Sequence, residues 1–494
     1  MRQNRPGSVQ ELRQRPLSRR DVLRRSGIGF GYLAAAAMLA EEAQGEADAP
    51  GAESSESSPE QQHNLLAACR PHFEPRAKRI IFLFMKGGPS QVDTFDFKPR
   101  LQRDHGKKLP FAKPRVQFSE TGKLLKSPWM FRRYGQSGIH VSELFPQTAK
   151  HIDDLCVINS MYGSNPAHGG ALLKLHTGSD SFVRPSLGSW ITYGLGTENA
   201  NLPGFLTICP TLAHGGVNNW GSAFLPAAFQ GTPLGVASQP AKNARLRHVE
   251  NLRIPRNLQR LQLDLLAHVN REHLDQTGPF GELESRIKSF ELAFRMQTAM
   301  PEVQDLSGET ATTRRLYGLD DKVTADFGRQ CLMARRFAER GVRFVQVTHS
   351  DTKVQWDQHA DLIQGHTKNA AEVDKPIAGL LQDLKSRGLL KDTLVLWAGE
   401  FGRTPTVQGS NGRDHNPEGF TVWLAGGGVK GGIRYGATDE FGYYATEKKT
   451  HIHDLHATLL HILGLDHQRL TYRYGGRDFR LTDVSGEVAH EILV

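Results

Sequence analysis

The sequence predicts an α/β fold: a doubly wound, mainly parallel central sheet flanked by helices, with a helical insertion. Three observations predict it. Short apolar runs without polar alternation, at 80–85 and Thr393–Ala398, read as strands buried on both faces. Amphipathic stretches at helical spacing, such as 370–387, alternate with such runs. Polar residues gather just after the strands, where open α/β sheets place their sites.

The chain opens with an address rather than a fold. Its 494 residues carry a net charge of +9. Eight arginines against Glu11 and Asp21 within residues 1–26 supply +6 of that charge. The remaining +3 is too little for a nucleic-acid binder. Arg19-Arg20 precedes an uncharged, Ala- and Gly-rich run at 27–40, the pattern of a twin-arginine export signal over 1–45. Residues 46–74 are acidic, Ser- and Pro-containing, and read as a disordered tether. No stretch reaches the roughly 20 apolar residues of a permanent membrane span. The expected location is therefore the periplasm or the extracellular space. Four cysteines without a CxxC exclude a zinc ribbon, while leaving room for a disulfide after export.

One domain is expected over 75–494. The run at 80–85 ends at Gly87-Gly88-Pro89, as a buried strand feeding a loop should. Residues 236–320 are charged, with recurring Leu at helical spacing in their middle, and form the expected insertion. Strands are expected at 342–348, Thr393–Ala398 and Phe420–Ala425. Helices are expected at 324–340, 370–387 and 454–463, the last two stopped by Gly388 and Gly464.

The strand ends carry the chemistry. Asp357 and His359 follow the first of these strands, Glu400 and Arg403 the second, and His415 precedes the third. Imidazoles and carboxylates converging from separate strand ends are what a divalent cation needs, so Asp357, His359, Glu400 and His415 are the candidate metal ligands. Nitrogen donors favour zinc or manganese over calcium, which takes all-oxygen shells. Arg403 is a candidate catalytic residue, a planar fork suited to a tetrahedral oxyanion; the competing reading has it pair with Glu400.

The segments at 82–99 (FLFMKGGPSQVDTFDFKP), 184–208, 356–359, 399–405 (GEFGRTP) and 413–417 (RDHNP) resemble the bacterial domain-of-unknown-function 1501 family, within the alkaline phosphatase and sulfatase-like superfamily. The resemblance spans nearly all of 75–470. It implies a sulfatase-like sheet and metal-dependent hydrolysis. It also implies metal-binding roles for His359 and His415, with Asp374 following and Glu400 where an aspartate normally ends the strand. Three departures stand out. Gly87-Gly88 replaces the usual aspartate, with Asp93 nearest, and Phe401 replaces a His or Asn. At the nucleophile position one register puts Ser164 and the other His168, both counted as catalytic candidates. No cysteine fits the Cys-x-Pro/Ala-x-Arg pattern of formylglycine sulfatases: Cys69 lacks the arginine, and Cys331 has Met333 at the Pro/Ala position.

Two functions follow. The first is an exported metal-dependent hydrolase of phosphate or sulfate esters, phosphate preferred because a histidine nucleophile suits phosphoryl transfer. Its substrate would be a small anionic ester or a sulfated or phosphorylated polymer. The second is a non-catalytic binding or assembly protein of the envelope on the same fold. Oligomeric state is not legible.

Overall fold

Residues Arg79–Met85 (RIIFLFM) carry apolar side chains on both faces, and in the computed structural model they form a fully buried strand, β1. Ile81, Leu83 and Met85 face one core, and Ile80, Phe82 and Phe84 face the other. The structure describes residues 66–112, 120, 122–246, 253–278, 281–350 and 355–494. The expected export signal and most of the expected tether lie outside these residues. The tether ends sooner than the composition suggested. Leu66 is buried, Thr197 N–H donates to its carbonyl, and His72 and Phe73 donate to Gly464. Residues 66–74 are thus tied to the domain.

The other central strands are Leu155–Tyr162 (β2), Phe205–Ile208 (β3), Thr232–Leu234 (β4), Phe344–His349 (β5) and Thr393–Ala398 (β6). A hairpin of Gly402–Gln408 (β7) and Gly412–Asn416 (β8) stands apart from the sheet. Phe420–Ala425 (β9), Ile433–Tyr435 (β10) and Thr450–His451 (β11) return to it. The order is β10-β2-β9-β6-β1-β5-β3-β4, with β11 also beside β2. It is a mixed, mostly parallel sheet, in which β9 alone runs against both neighbours. The sequence suggested an uninterrupted β–α alternation here. What joins β6 to β9 is the β7–β8 hairpin, not a helix, and a parallel return needs a long crossover.

Helices cover both faces. His168–Thr177 (α1), Leu187–Leu195 (α2) and Ile452–Ile462 (α7) pack on the Phe82 side. Ala325–Glu339 (α5) and Leu362–Ser386 (α6) pack on the Leu83 side through Cys331, Phe337, Val373, Ile377 and Leu381. Each such fully buried side chain contributes about 1.5–3 kcal/mol. Arg256–Thr277 (α3) and Gly281–Gln304 (α4) fall within the segment expected as an insertion. Arg260 of α3 reaches Glu291 of α4 at 2.9 Å. No helix among the described residues is long and apolar enough to cross a membrane.

Register brings the strand ends level. Met85 pairs with His349, and Phe84 with Ala398. The loops after β1, β5 and β6 therefore leave the same edge together. A buried ion pair locks the first of these loops to the hairpin. Asp93 and Arg413 are both fully buried, with Arg413 Nε donating to Asp93 Oδ2 at 2.6 Å and Nη2 to Oδ1 at 3.1 Å. Asp93→Ala would strand the guanidinium, at a cost of about 3–5 kcal/mol in a urea titration. A loss under about 1 kcal/mol would show that the pair does not hold the edge.

Candidate metal centre

Trp356 places the centre. It is fully buried, its backbone N–H donates to Lys86 O at 3.0 Å, and its indole N–H donates to His349 Nδ1 at 2.9 Å. The next residue, Asp357, turns its carboxylate into the space between the loops. Gly87 makes this approach possible: it has φ +114°, and a Cβ there would lie 2.6 Å from the Trp356 nitrogen. The aspartate expected after β1 therefore has no room. Gly412 does the same for the other wall, since a Cβ there would meet the His359 carbonyl at 1.9 Å.

Three imidazoles converge on Asp357. His359 Nε2 lies 2.9 Å from its Oδ1, His415 Nε2 lies 3.1 Å from the same oxygen, and His168 Nε2 lies 3.2 Å from Oδ2. In each ring the other nitrogen faces an acceptor. His168 Nδ1 meets Glu400 Oε1 at 2.7 Å, His415 Nδ1 meets the Pro166 carbonyl at 2.6 Å, and His359 Nδ1 meets Gln408 Oε1. Each Nδ1 is therefore tied to an oxygen acceptor, and each Nε2 is the nitrogen left to face one point. This is how metal-binding histidines are oriented.

The hairpin aims His415. Its residue sits opposite Arg403 in the β7–β8 pairing, and the register shifts between Arg413 and His415. Such a bulge re-aims side chains. Arg413 goes to Asp93, while His415 and Asp414 turn toward the centre. His168, the first residue of α1, enters from the opposite side, its ring 4.4 Å from that of His415. Phe401 walls the pair, 4.8 Å from His168 and 4.5 Å from His415.

Charge holds the hub. Burial alone would raise the pKa of Asp357, but Arg403 and then the three histidines hold it far below the usual carboxylate range. Burial lowers His168, yet its contacts with the Asp357 and Glu400 carboxylates leave it raised overall. His359 is raised chiefly by Asp357. His415 is pushed down to about 4, first by burial, and is neutral near pH 7. Burial raises Asp414, whose Oδ2 is buried without a hydrogen bond.

The arrangement passes a test for a divalent ion. Neutral His415, its proton committed to Pro166, points a lone pair at a carboxylate oxygen, a repulsive contact unless a cation lies between them. His168 Nε2 is likewise buried without a hydrogen bond. Among the described residues, ligand-type atoms of His168, Asp357 and His415 lie within 4.8 Å of one another, and so do those of His359, Asp414 and His415.

The residues singled out from sequence divide as follows. Asp357, His359 and His415 meet at the centre, joined by His168. Glu400 stands one step back, accepting from His168 and from Gly87 N–H at 3.0 Å. Arg403 is fully buried, and its guanidinium contacts the carbonyls of Gly87, Gly88, Trp356 and Arg413 as well as Asp357, at 2.5 Å. It pairs with Asp357 rather than Glu400, and with no exposed donor it has nothing to offer an oxyanion. Ser164 Oγ lies outside the cluster, donating to Asp180 Oδ2 at 3.1 Å. Asp374, midway along α6, uses both carboxylate oxygens to accept from the backbone N–H groups of Gln147 and Thr148, at 2.8 and 2.7 Å. Asp93 belongs to the ion pair above. All four cysteines are free. The sequence reading missed Asp414, Gln408 and the Pro166 carbonyl. Nor did it single out His214, whose ring stacks 5.2 Å from that of His168. Asp414 could have been found, since it sits inside the RDHNP segment already singled out.

The family model described as "Protein of unknown function (DUF1501)" matches residues 77–493. No curated protein matches the chain. Among solved structures, the PsFucS1 sulfatase from Pseudoalteromonas sp. is similar at 12% identity and TM-score 0.34, over 79% of this chain and 68% of that one. The C-terminal periplasmic domain of EcEptC from Escherichia coli, in complex with Zn, is similar at 10% identity and TM-score 0.33, over 83% and 95%. The phosphonate monoester hydrolase SpPMH from Silicibacter pomeroyi is similar at 12% identity and TM-score 0.29, over 78% and 73%.

Three further histidines are core residues, and they set a pH limit. His366 and His456 are pushed down to about 3 and His176 to about 4, all by burial. The unfolded chain takes up these protons near pH 6.5, while the folded chain does not. Stability is full above that pH and falls below it, by about 1.4 kcal/mol per unit for each histidine until its folded pKa is reached. In chelator, the urea midpoint should drop markedly from pH 7 to pH 5. An unchanged midpoint would mean these rings are not buried neutral.

Proposed function

We propose that this chain, which belongs to the DUF1501 family over residues 77–493, is a divalent-metal hydrolase of phosphate or sulfate esters. The observation that supports it most is the shared ring orientation. Three rings whose Nδ1 atoms are tied to oxygen acceptors present three Nε2 atoms to one carboxylate. His168, His359, His415 and Asp357 are the proposed ligands, with Asp414 at the edge. Three nitrogens and a carboxylate suit zinc or manganese better than calcium. An ion held there would polarise an ester oxygen and acidify a water.

The protein's own residues do the rest. Arg403 keeps Asp357 ionised and fixed, so it is a positioning residue. Glu400 holds the His168 proton on Nδ1 and leaves Nε2 free to bind. Phe401 keeps water from one side. With His168 in the ligand set, its use as a nucleophile is disfavoured. The proposed preference for phosphate then rests on charge, since a phosphate monoester carries close to two negative charges at neutral pH. A non-catalytic reading has one observation in its favour: Arg403 has no exposed donor for a substrate, and Ser164 stands outside the cluster, donating to Asp180.

The protein, supplied with zinc or manganese and then dialysed, should retain close to one equivalent. His359→Ala with His415→Ala should lose it, and Glu400→Gln should weaken binding about 10–100-fold. A wild type left empty by this treatment would refute the centre.

On nitrophenyl phosphate and nitrophenyl sulfate, His359→Ala should abolish turnover, while Ser164→Ala should stay within about twofold of wild type. Loss in Ser164→Ala alone would restore the serine as nucleophile. Inactivity of the metal-loaded wild type on a broad ester panel would favour the binding protein.

Export by the twin-arginine route is also proposed. Replacing Arg19 and Arg20 by Lys should leave the full-length chain in the cytoplasm, seen by fractionation. Normal export of that variant would exclude this route.

A further inference from the structure

We infer that an aromatic and arginine platform beside the centre binds the sugar rings of an anionic polysaccharide. The hairpin Tyr472–Tyr474 and Arg477–Phe479 lays its rings against Phe224. The Phe224 and Tyr474 rings are 5.0 Å apart at 15°, and those of Phe224 and Phe479 are 4.9 Å apart. Arg184 lies 4.2 Å over Phe479 and 5.6 Å from Phe182, and Arg477 lies 4.9 Å over Phe479. Yet Phe182 is 65% exposed and Tyr474 51%. Large rings in water cost free energy unless something covers them.

The chemistry of the cover follows from what stands between the rings. A flat exposed ring accepts the C–H face of a pyranose. A guanidinium fork takes the paired oxygens of a sulfate or phosphate ester. Arg184, Arg469, Arg473, Arg477, Arg480 and Lys174 stand against Asp180, Asp466, Asp478 and Asp483, a modest local positive excess. Arg473 pairs with Asp478 at 3.2 Å and Arg477 pairs with Asp483, both at the exposed surface where an ester anion can compete for the fork. Single-stranded nucleic acid also stacks on such rings, but the +5 carried by residues 46–494 gives it no extended basic track.

The platform adjoins the centre through a short path. Pro166 accepts from His415, Ser164 two residues earlier holds Asp180, and Phe182 follows two residues later. Two residues span about 7 Å at most. A bound chain could therefore present an ester to the centre a few sugars away. That link rests on the hydrolase reading; the binding itself does not.

Affinity electrophoresis of the mature protein in dextran sulfate, a phosphomannan, neutral dextran, polyphosphate and oligothymidylate tests it. Dextran sulfate or the phosphomannan should retard the protein, and which one does so more identifies the ester. Neutral dextran and polyphosphate should retard it far less. Phe182→Ala with Tyr474→Ala should weaken glycan binding at least tenfold, and Arg184→Lys should weaken it while keeping the charge. Val484→Ala, at an 82% exposed neighbour, should change nothing. The His359→Ala, His415→Ala variant should still bind, so failure of the hydrolase reading would leave this result standing. No retardation, equal retardation by neutral dextran, polyphosphate or oligothymidylate, or a dimer that Tyr474→Ala dissociates without any glycan effect would each overturn the inference.

Discussion

The Asp357 carboxylate is the point on which the rest of the centre depends. It is largely buried, and a carboxylate there stays ionised only with charge partners at hand. Arg403 supplies a fixed one at 2.5 Å, and four backbone carbonyls hold that guanidinium in turn. The three imidazoles then have an anion to face. Their outer nitrogens are tied to Glu400, Gln408 and Pro166, so none can rotate away without losing a hydrogen bond. The geometry is thus set before any ion arrives, which is how a protein keeps a site selective.

The sheet makes this possible. Parallel neighbours β5, β1 and β6 end level, and their loops deliver Asp357, His359, Gly87 and Glu400 to one edge. The β7–β8 hairpin folds over that edge and returns as β9, the one reversed strand. It carries Arg403, Gln408, Asp414 and His415 on two short strands. The departures noted in sequence have a common cause. With Trp356 packed against Gly87 and Phe401 against two histidines, the positions that would hold further ligands are filled by backbone and by an apolar ring.

Much of this was legible in the chain. β1, β6 and β9 are continuous apolar runs, and continuous runs mark strands covered on both faces. Asp357, His359 and His415 were legible because acids and imidazoles recur just past those runs. The hairpin was not: GRTPTVQ and GRDHN are polar and contain a proline, yet both are buried almost throughout, because their side chains pair with buried groups of other segments, Arg413 with Asp93 and Arg403 with Asp357. β2 (LCVINSMY) was hidden likewise by Asn159 and Ser160, which find partners in Thr421 and the Lys448 carbonyl. The choice between Ser164 and His168 could not be made from spacing, since one lies just before and the other at the start of the same helix. Arg403 looked like a substrate ligand because its type suits an oxyanion, and only its five-fold engagement shows otherwise.

Anomalous diffraction from crystals of the zinc-loaded protein tests the central claim most directly. The account predicts one strong peak about 2.0–2.2 Å from the Nε2 atoms of His168, His359 and His415 and from a carboxylate oxygen of Asp357. A peak elsewhere, ligation through Nδ1, or no peak at this edge of the sheet would contradict it.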